Sequence, residues 1–446
     1  MGKKKMNTDK EAPFNLIDLK TGKNIRTAMQ SLFLTGEILP VGARLSVWHV
    51  FKPEGKKPVE AIYCFALPRD ASMRRFFVKG DRFSAYSRLE PTGKAVKAYE
   101  KGVEDGHLSL LARQYRDGIV NLSIGNVRPG ESVSVYLELI AGVDISDQGL
   151  RFRFPFALAP GYHGKAKMME VGPGAYELEL PEDEFGDLIL PQWRGDTESL
   201  HSVGFDLRLN IGREIAEIAS PSHAMRTVNL EDGNVQVLSA TDSEVPDRDL
   251  VLDVRTRDKA PLIVSGVEKD GKGRFAVVVS SENFGKCEKS ARNIVFVIDR
   301  SGSMSGPPMA QARKAVEACL GALGDEDRFG IVAFDDMVER FSEKTVPADM
   351  ENRTAAKKFL EKVDARGGTE LLEGLEAAMG MLGGTGGDIM VITDGEVFGT
   401  EDILMAVKNH SGIRIHCLGI GSASQDRFLA LLARESSGRK ESIFRQ

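Results

Sequence analysis

The fold of the C-terminal part of this chain is decided by the stretch Asn293-Ile294-Val295-Phe296-Val297-Ile298-Asp299-Arg300-Ser301-Gly302-Ser303. Its five consecutive apolar residues predict a strand that is buried on both faces, as in a parallel sheet. The strand ends in oxygen side chains at alternate positions, and Gly302 permits a tight turn between them. After Gly306-Pro307-Pro308, apolar residues at helical spacing predict a helix over 309–323. Open parallel sheets bind ligands at this carboxyl edge of the strands.

Two later stretches carry oxygen side chains to the same predicted edge. Gly367-Gly368-Thr369 places a hydroxyl on a turn before a predicted helix, and Asp388-Ile389-Met390-Val391-Ile392-Thr393-Asp394-Gly395 is a second buried strand that ends in a carboxylate. The candidate site therefore contains only hard oxygen donors, a set that suits Mg²⁺ or Mn²⁺. Its members are Asp299, Ser301, Ser303, Thr369 and Asp394.

The three motifs, Asp-x-Ser-x-Ser, Gly-Gly-Thr and Thr-Asp-Gly, resemble the metal-ion-dependent adhesion site of the von Willebrand factor A family. The resemblance covers the chain from about residue 291 to its end, and all five motif positions are filled. It implies that the five residues bind a divalent cation and that the domain binds an acidic residue of a protein partner. The alternative for a single motif is structural, with Asp299 capping a turn and the two serines capping a helix.

Length and composition limit the classes of protein to consider. With 446 residues, 42% hydrophobic and 28% charged, the chain is long enough for two or three ordinary globular domains. The net charge of −6 argues against an extended nucleic-acid surface. No apolar run is long enough for a membrane span, and the basic start has no apolar segment after it to form a secretory signal. We therefore expect a cytoplasmic protein, the alternative being a secreted protein whose signal has been removed.

The four cysteines, Cys64, Cys287, Cys319 and Cys417, lie far apart and lack the spacing of a metal site. Cys319 and Cys417 fall within apolar helix and strand patterns, which favours free buried thiols and a reducing compartment.

The N-terminal part of the chain is rich in predicted strands. Residues 1–13 are polar and predicted to be disordered. Short strands with frequent turns over 14–145 predict a β-sandwich. Within it, Ala61-Ile62-Tyr63-Cys64-Phe65-Ala66-Leu67-Pro68, Ala98-Tyr99-Glu100 and Gly125-Asn126-Val127-Arg128-Pro129-Gly130-Glu131 together resemble the vault protein inter-alpha-trypsin (VIT) domain. In that family, which includes the inter-alpha-trypsin heavy chains, this domain commonly precedes a von Willebrand A domain.

Strand patterns continue over 146–283, which we interpret as a second β-sandwich module, and polar residues 281–290 form a linker. Over 291–446 strands and helices alternate, which predicts an α/β doubly wound, Rossmann-like sheet with helices on both faces. The helices are predicted at 309–323, 351–363, 371–382, 401–409 and 426–435. The chain ends after the last predicted strand, so we expect this domain to lack the last helix of its family.

Binding is favoured over catalysis because the residues for common reactions are missing from the motifs. Ser301 stands where a haloacid-type phosphatase needs a second carboxylate, and none of the seven histidines lies in the metal-site stretches. We predict His416, inside a strand, to be a hydrogen-bonded core residue, and Arg300 to be either solvated or directed at the partner's acid. The predicted function is metal-dependent protein–protein interaction, and the alternative is a metal-dependent hydrolase.

Overall fold

The computed structural model of this chain describes residues 17–18, 23–24, 29–52, 59–68, 70–81, 83–115, 118–128, 130–156, 167–172, 175–179, 193–194, 201–241, 244–246, 248–267, 270–285, 290–394, 397, 400–408, 410, 412–420 and 426–443. The predicted disorder of 1–13, Cys287 and residues 286–289 of the predicted linker lie outside these residues. The chain divides into two compact units, which are treated separately below. Unit 1 comprises Met1–Leu158 and Met168–Lys286, and unit 2 comprises Ala159–Lys167 and Cys287–Gln446.

Unit 1 consists almost entirely of strands, with one described α-helix, α1, at Thr92–Glu104. Its described strands are β1 Ile17–Asp18, β2 Lys23–Asn24, β3 Met29–Leu39, β4 Gly42–Phe51, β5 Val59–Ala66, β6 Ser72–Gly80, β7 Ser84–Tyr86, β8 Ser109–Gln114, β9 Ile119–Val127, β10 Val133–Ala141, β11 Asp144–Ser146, β12 Gly149–Phe154, β13 Lys167–Gly172, β14 Ala175–Glu179, β15 Trp193–Arg194, β16 Ser202–Leu209, β17 Ile215–Ala219, β18 Met225–Asn229, β19 Val235–Ser239, β20 Leu250–Thr256, β21 Leu262–Val267 and β22 Gly273–Val278.

The largest sheet of unit 1 has eight strands in the order β18-β19-β16-β3-β4-β10-β6-β7. A five-stranded sheet, β2-β1-β5-β9-β8, and a four-stranded sheet, β11-β12-β20-β17, contribute to the same core. Alternation explains the packing, because every second residue of β4 and of β10 is buried while the residues between them stay partly exposed. One apolar core, which includes Leu34, Val47, Leu137 and Phe152, therefore holds these sheets together.

Strands from both predicted β modules share the eight-stranded sheet. β16, from the predicted second module, pairs in parallel with β3, from the predicted first module, so that Phe205 lies opposite Leu34. The boundary between the predicted modules 14–145 and 146–283 stays a prediction. In the structure, the described strands of both modules belong to one compact unit.

Unit 2 alternates strands and helices, as the sequence predicts. Its strands are β23 Asn293–Asp299, β24 Arg328–Phe334, β25 Val338–Arg340, β26 Val346–Pro347, β27 Gly387–Thr393, β28 Ile413–Ile420 and β29 Lys440–Ile443. Its described α-helices are α2 Pro307–Ala322, α3 Met350–Leu360, α4 Leu371–Leu382, α5 Thr400–Lys408 and α6 Asp426–Glu435.

These strands form one sheet in the order β25-β24-β23-β27-β28-β29, with β26 also paired to β24. The five strands from β24 to β29 in this order run parallel, and β25 and β26 run antiparallel to β24. Apolar side chains of α4, α5 and α6 pack on one face, and those of α2 and α3 pack on the other. Because both faces are covered, the central strand β23 is apolar from Ile294 to Ile298, as its sequence predicts.

No helix in the described part of the chain is long and apolar enough to cross a membrane. Cys64, Cys319 and Cys417 are not in disulfides. Cys417 is buried, as predicted, whereas Cys319, which was also predicted to be buried, is half-buried.

Unit 1 buries three neutral histidines, His49, His201 and His223. Burial lowers the pKa of His49 to about 3, helped by the electrostatic effect of nearby His201, and burial lowers the pKa of His201 to about 3 as well. Burial and the charge of Arg248 lower the pKa of His223 to about 4. The ring of His49 lies among aromatic rings, 5.0 Å from Tyr63 between centroids. A proton on any of these rings is therefore disfavoured in the folded state.

We expect unit 1 to lose stability as pH falls below about 6.5. An unfolded chain protonates its histidines near that pH, whereas the folded unit keeps them neutral down to about pH 3 to 4, so the unfolded state binds more protons. Each such histidine then removes up to about 1.4 kcal/mol of unfolding free energy per pH unit within this window. Urea unfolding followed by tryptophan fluorescence measures this, because both tryptophans, Trp48 and Trp193, belong to unit 1.

The variant His49→Leu should reduce the dependence of unfolding free energy on pH, and the exposed His107→Leu should leave it as in the wild type. An unchanged pH dependence in His49→Leu would contradict this account.

Candidate metal centre

The candidate site is built around Asp299, the last residue of the central strand β23. Its carboxylate is fully buried and accepts two hydrogen bonds, from the Ser301 backbone N–H to Oδ1 at 2.8 Å and from the Thr393 hydroxyl to Oδ2 at 2.5 Å. Burial raises the pKa of Asp299, although the hydrogen bonds from Thr393 and Ser301 oppose that rise. A nearby positive charge would offset the cost of keeping this carboxylate ionised.

Three further predicted site residues are linked to one another by their side chains. The Ser301 and Ser303 hydroxyl oxygens are 3.0 Å apart, and the Ser303 hydroxyl donates to Asp394 Oδ1 at 2.9 Å. Asp394 follows β27, the neighbour of β23 in the sheet. The structure therefore brings Asp299, Ser301, Ser303 and Asp394 together at the carboxyl ends of two adjacent parallel strands.

Thr369, the fifth predicted residue, lies on the loop before α4, and backbone hydrogen bonds hold that loop against the serine loop. The Gly302 N–H donates to the Gly367 carbonyl at 3.2 Å, and the Arg366 N–H donates to the Arg300 carbonyl at 2.5 Å. Gly367 has φ of +71°, and a Cβ atom there would lie 3.0 Å from Asp335 Cβ. The glycine is needed both for this backbone conformation and for the close approach of its loop to Asp335.

The prediction of a solvated Arg300 is wrong, and the side chain is paired within the chain. Its side chain is 3% exposed, and it forms ion pairs with Asp335 Oδ2 at 3.3 Å and Glu339 Oε2 at 2.5 Å. The physical reason is the alternation of side chains along the loop. Asp299 and Ser301 face the candidate site. Arg300, between them, is directed towards the carboxylate of Asp335, the residue that follows β24.

Asp335 joins three segments of the site. Its carboxylate pairs with Arg300, and it accepts hydrogen bonds from Arg366 Nε at 2.7 Å and from the Met337 N–H at 2.8 Å. Its carbonyl accepts from the Glu370 N–H, next to Thr369, at 3.0 Å. Burial opposes ionisation of Asp335, but the hydrogen bonds from Arg366 and Met337 and the charges of the two arginines lower its pKa overall. We call Arg300, Asp335 and Arg366 the loop clamp.

Sequence reasoning missed the loop clamp and the role of Thr393. One signal was available for each. Thr393 belongs to the Thr-Asp-Gly motif, and Asp335 directly follows a buried parallel strand, as Asp299 does. A carboxylate at that position is at the ligand-binding edge of the sheet.

His416 is hydrogen bonded, as predicted, although it is only half-buried. Its Nε2 lies 3.3 Å from Asp388 Oδ1, and the Arg439 N–H donates to its Nδ1 at 3.1 Å. The ring proton therefore sits on Nε2 and points at Asp388. Asp388 stands near the start of β27, at the opposite end of that strand from Asp394.

The donor set fits a hard divalent cation. In the described residues, no group of three or more His, Cys, Asp or Glu side chains is placed to hold a metal. The candidate site is of a different type from such groups, because its five side chains are two carboxylates and three hydroxyls. Oxygen donors of these types suit Mg²⁺ or Mn²⁺ better than Zn²⁺.

Comparison with known proteins gives two domain matches. Residues 292–442 match the von Willebrand factor type A domain, and residues 29–139 match the vault protein inter-alpha-trypsin domain. The chain is similar to von Willebrand factor A domain-containing protein 5A of Rattus norvegicus, at 24% identity over 95% of this chain and 53% of that protein. It is also similar to a von Willebrand factor A domain-containing protein of Dictyostelium discoideum, at 23% identity over 89% of this chain and 45% of that protein.

This chain thus spans about half the length of these relatives. Among solved structures, a von Willebrand factor type A protein from Catenulispora acidiphila is similar at 23% identity, with a TM-score of 0.33 over 42% of each chain. The two domain matches confirm both resemblances that the motifs indicate. The chain therefore contains a vault protein inter-alpha-trypsin domain followed by a von Willebrand factor type A domain.

Proposed function

We propose that this chain is a metal-dependent protein-interaction module. In this proposal Asp299, Ser301, Ser303, Thr369 and Asp394 hold Mg²⁺ or Mn²⁺, and an acidic side chain of a protein partner binds at the same place. The observation that carries the proposal is the connected set of hydroxyl and carboxylate oxygens that runs from Ser301 through Ser303 to Asp394 beside the buried Asp299.

Charge balance supports binding of an acid. Two carboxylates neutralise a divalent cation, and hydroxyls add no charge. A cation held there would supply a coordination position for one more carboxylate oxygen. Such a contact is short and partly desolvated, so its electrostatic attraction is stronger than in water.

The other residues of the site orient the proposed ligands. The Thr393 hydroxyl and the Ser301 N–H fix the Asp299 carboxylate from two sides. The loop clamp holds the loop of Thr369 against the loop of Ser301. Residues that orient metal ligands in this way commonly change metal affinity 10- to 100-fold when mutated.

The first prediction from this proposal concerns the cation. Mg²⁺ at about 100 times its Kd should stabilise unit 2 by about 2.7 kcal/mol, because it binds the folded state only. Asp299→Ala should remove this stabilisation and keep the fold, since it also removes a buried charge. Hydrogen exchange of peptides covering β23 and β27, with and without Mg²⁺, measures the effect within unit 2.

Asp388→Asn is the matched control, because it alters a buried carboxylate at the opposite edge of the same sheet. It should keep the response to Mg²⁺. The assignment of the metal site is wrong if Mg²⁺ stabilises Asp299→Ala as much as it stabilises the wild type.

The second prediction concerns the loop clamp. Arg300→Met should lower the affinity for Mn²⁺ about tenfold, because Asp335 loses one of the charges that hold it and the loop of Thr369 loosens. Electron paramagnetic resonance of free Mn²⁺ gives this affinity directly. Arg292→Met breaks the pair of Arg292 with Asp327, 3.2 Å apart at the other edge of the sheet. This control should lower the free energy of unfolding without changing Mn²⁺ affinity. Equal Mn²⁺ affinity in Arg300→Met and Arg292→Met would show that the loop clamp does not support the site.

The third prediction separates binding from hydrolysis. Proteins captured by the wild-type chain in Mg²⁺ should be released by chelator and should be captured poorly by Ser301→Ala. Mutating one acidic residue of a captured partner should weaken binding similarly, and the two changes together should cost little more than either alone, because both remove the same contact.

The outcome that contradicts this proposal is metal-dependent turnover of a small ester or phosphate that Asp299→Ala abolishes. Capture that persists unchanged in chelator would contradict it as well.

A further inference from the structure

A line of five aromatic residues crosses the outer face of the eight-stranded sheet in unit 1. Each stands directly opposite the next on the neighbouring strand, over β3, β4, β10, β6 and β7. With strands about 4.8 Å apart, the line is about 19 Å long and runs across the strands. We call it the aromatic row, and its members in order are Phe33, Trp48, Tyr136, Phe77 and Tyr86.

The aromatic row faces away from the core. The residues that flank it along β4 and β10, such as Val47 and Leu137, are the buried members of those strands. At the two ends of the row, Phe33 is 42% exposed and Tyr86 is 74% exposed. The outer face of an antiparallel sheet is ordinarily polar, so five aligned aromatic side chains on it indicate a binding surface.

Four of the five rings are in continuous contact. Trp48 and Tyr136 have centroids 4.6 Å apart, Tyr136 and Phe77 are 4.5 Å apart, and Phe77 and Tyr86 are 5.7 Å apart. The Tyr136 hydroxyl is fixed by Ser46 Oγ at 2.6 Å. These contacts hold the rings in place before any ligand arrives, which lowers the entropy cost of binding.

At the β3 end of the aromatic row, the neighbouring strand leaves space for the Phe33 ring. Phe33 lies opposite Gly204 of β16, and a Cβ atom on Gly204 would come within 2.9 Å of the Phe33 ring. The ring therefore lies over a residue without a side chain, and the aromatic surface extends over a sixth strand.

Positive charge borders the middle of the aromatic row. The outward-facing and exposed cations on β4 and β6 are Arg44, Arg74, Arg75 and Lys79. The one carboxylate on the outer face of β10, Glu138, is held by Arg75 through two hydrogen bonds of 2.7 and 2.8 Å. On β3, Glu37 lies opposite Arg44, so four cations stand beside two carboxylates on these strands. The border is therefore net positive and complementary to an acidic ligand.

We propose that the aromatic row binds an acidic, proline-containing peptide segment in the polyproline II conformation. A polyproline II helix repeats every three residues, about 9.3 Å, and two strand spacings are about 9.6 Å. Prolines at every third position would therefore meet rings on alternate strands, and acidic residues beside them would meet Lys79 and the arginines. Proline-rich segments bind aromatic surfaces in this way with little loss of entropy, because their conformation is already formed.

The test uses a fluorescein-labelled peptide of four Pro-Pro-Glu repeats and fluorescence polarisation with the full chain. We expect saturable binding that weakens as salt is raised. Phe33→Ser and Tyr86→Ser should each raise Kd about tenfold, a typical effect for removing an aromatic anchor. Val228→Ser is the matched control, because Val228 is 48% exposed on β18, the other edge strand of the same sheet, and it should change Kd less than about twofold.

A charge reversal separates binding from an effect on folding. Lys79→Glu should weaken binding of the Pro-Pro-Glu peptide and strengthen binding of a Pro-Pro-Lys peptide, which a loss of folding cannot do. Circular dichroism of each variant checks that the sheet is retained.

Four results would overturn the proposal. The first is an absence of binding by the Pro-Pro-Glu peptide, and the second is equal binding by Gly-Gly-Glu repeats, which lack the preformed conformation. The third is self-association of the chain that Tyr86→Ser abolishes while no peptide binds, because a second copy would then cover the row. The fourth is binding of a uridine oligonucleotide in place of the peptides.

Discussion

The candidate site of unit 2 depends on a carboxylate buried at the end of the central strand. Asp299 sits where two parallel neighbours cover its strand on both sides and helices cover both faces of the sheet. A charge in such a place is unfavourable unless protein groups or an ion compensate it. The surrounding chain provides part of that compensation through Thr393 and the Ser301 backbone, and the two serine hydroxyls continue the polar path towards Asp394.

The loop clamp shows how the same edge of the sheet is made rigid. Loops usually carry binding residues on a rigid scaffold of strands and helices. Here buried contacts between the loops hold the loops in place as well. Arg300 and Asp335 are both 3% exposed, and a pair buried to this extent is costly to break from one side. The clamp thereby connects the ends of β23 and β24 to the segment before α4, and the position of Thr369 follows from these contacts.

The sequence predicted unit 2 well because its signals are local. Long apolar runs marked the parallel strands, and helical spacing marked the helices, so α4, α6 and β28 have the bounds that the sequence predicts. The direction of a side chain within a loop depends on partners that are distant in the sequence. Arg300 was misjudged because its partner Asp335 is on another strand, and no spacing in the sequence relates the two.

In unit 1 individual strands such as β9 were predictable, but their arrangement in sheets was not. The aromatic row illustrates the reason, because its five members come from five strands and are aligned only once every register is fixed. A shift of one residue in any of these strands would turn that ring towards the core. The alternating patterns of β4 and β10 indicate which residues share a face, but they do not identify the neighbouring strand.

The parallel pairing of β3 with β16 has a consequence for synthesis of the protein. β3 ends at Leu39 and β16 begins at Ser202, so a ribosome that adds about 5–20 residues per second completes the first strand many seconds before its partner exists. During that interval the nascent chain carries a long strand with one unpaired edge, which is a template for association with other chains. A fragment that stops where the inter-alpha-trypsin match ends, at residue 139, would keep that edge open permanently. A recombinant fragment of unit 1 therefore needs to extend at least through Leu209 for β3 to be paired on both edges.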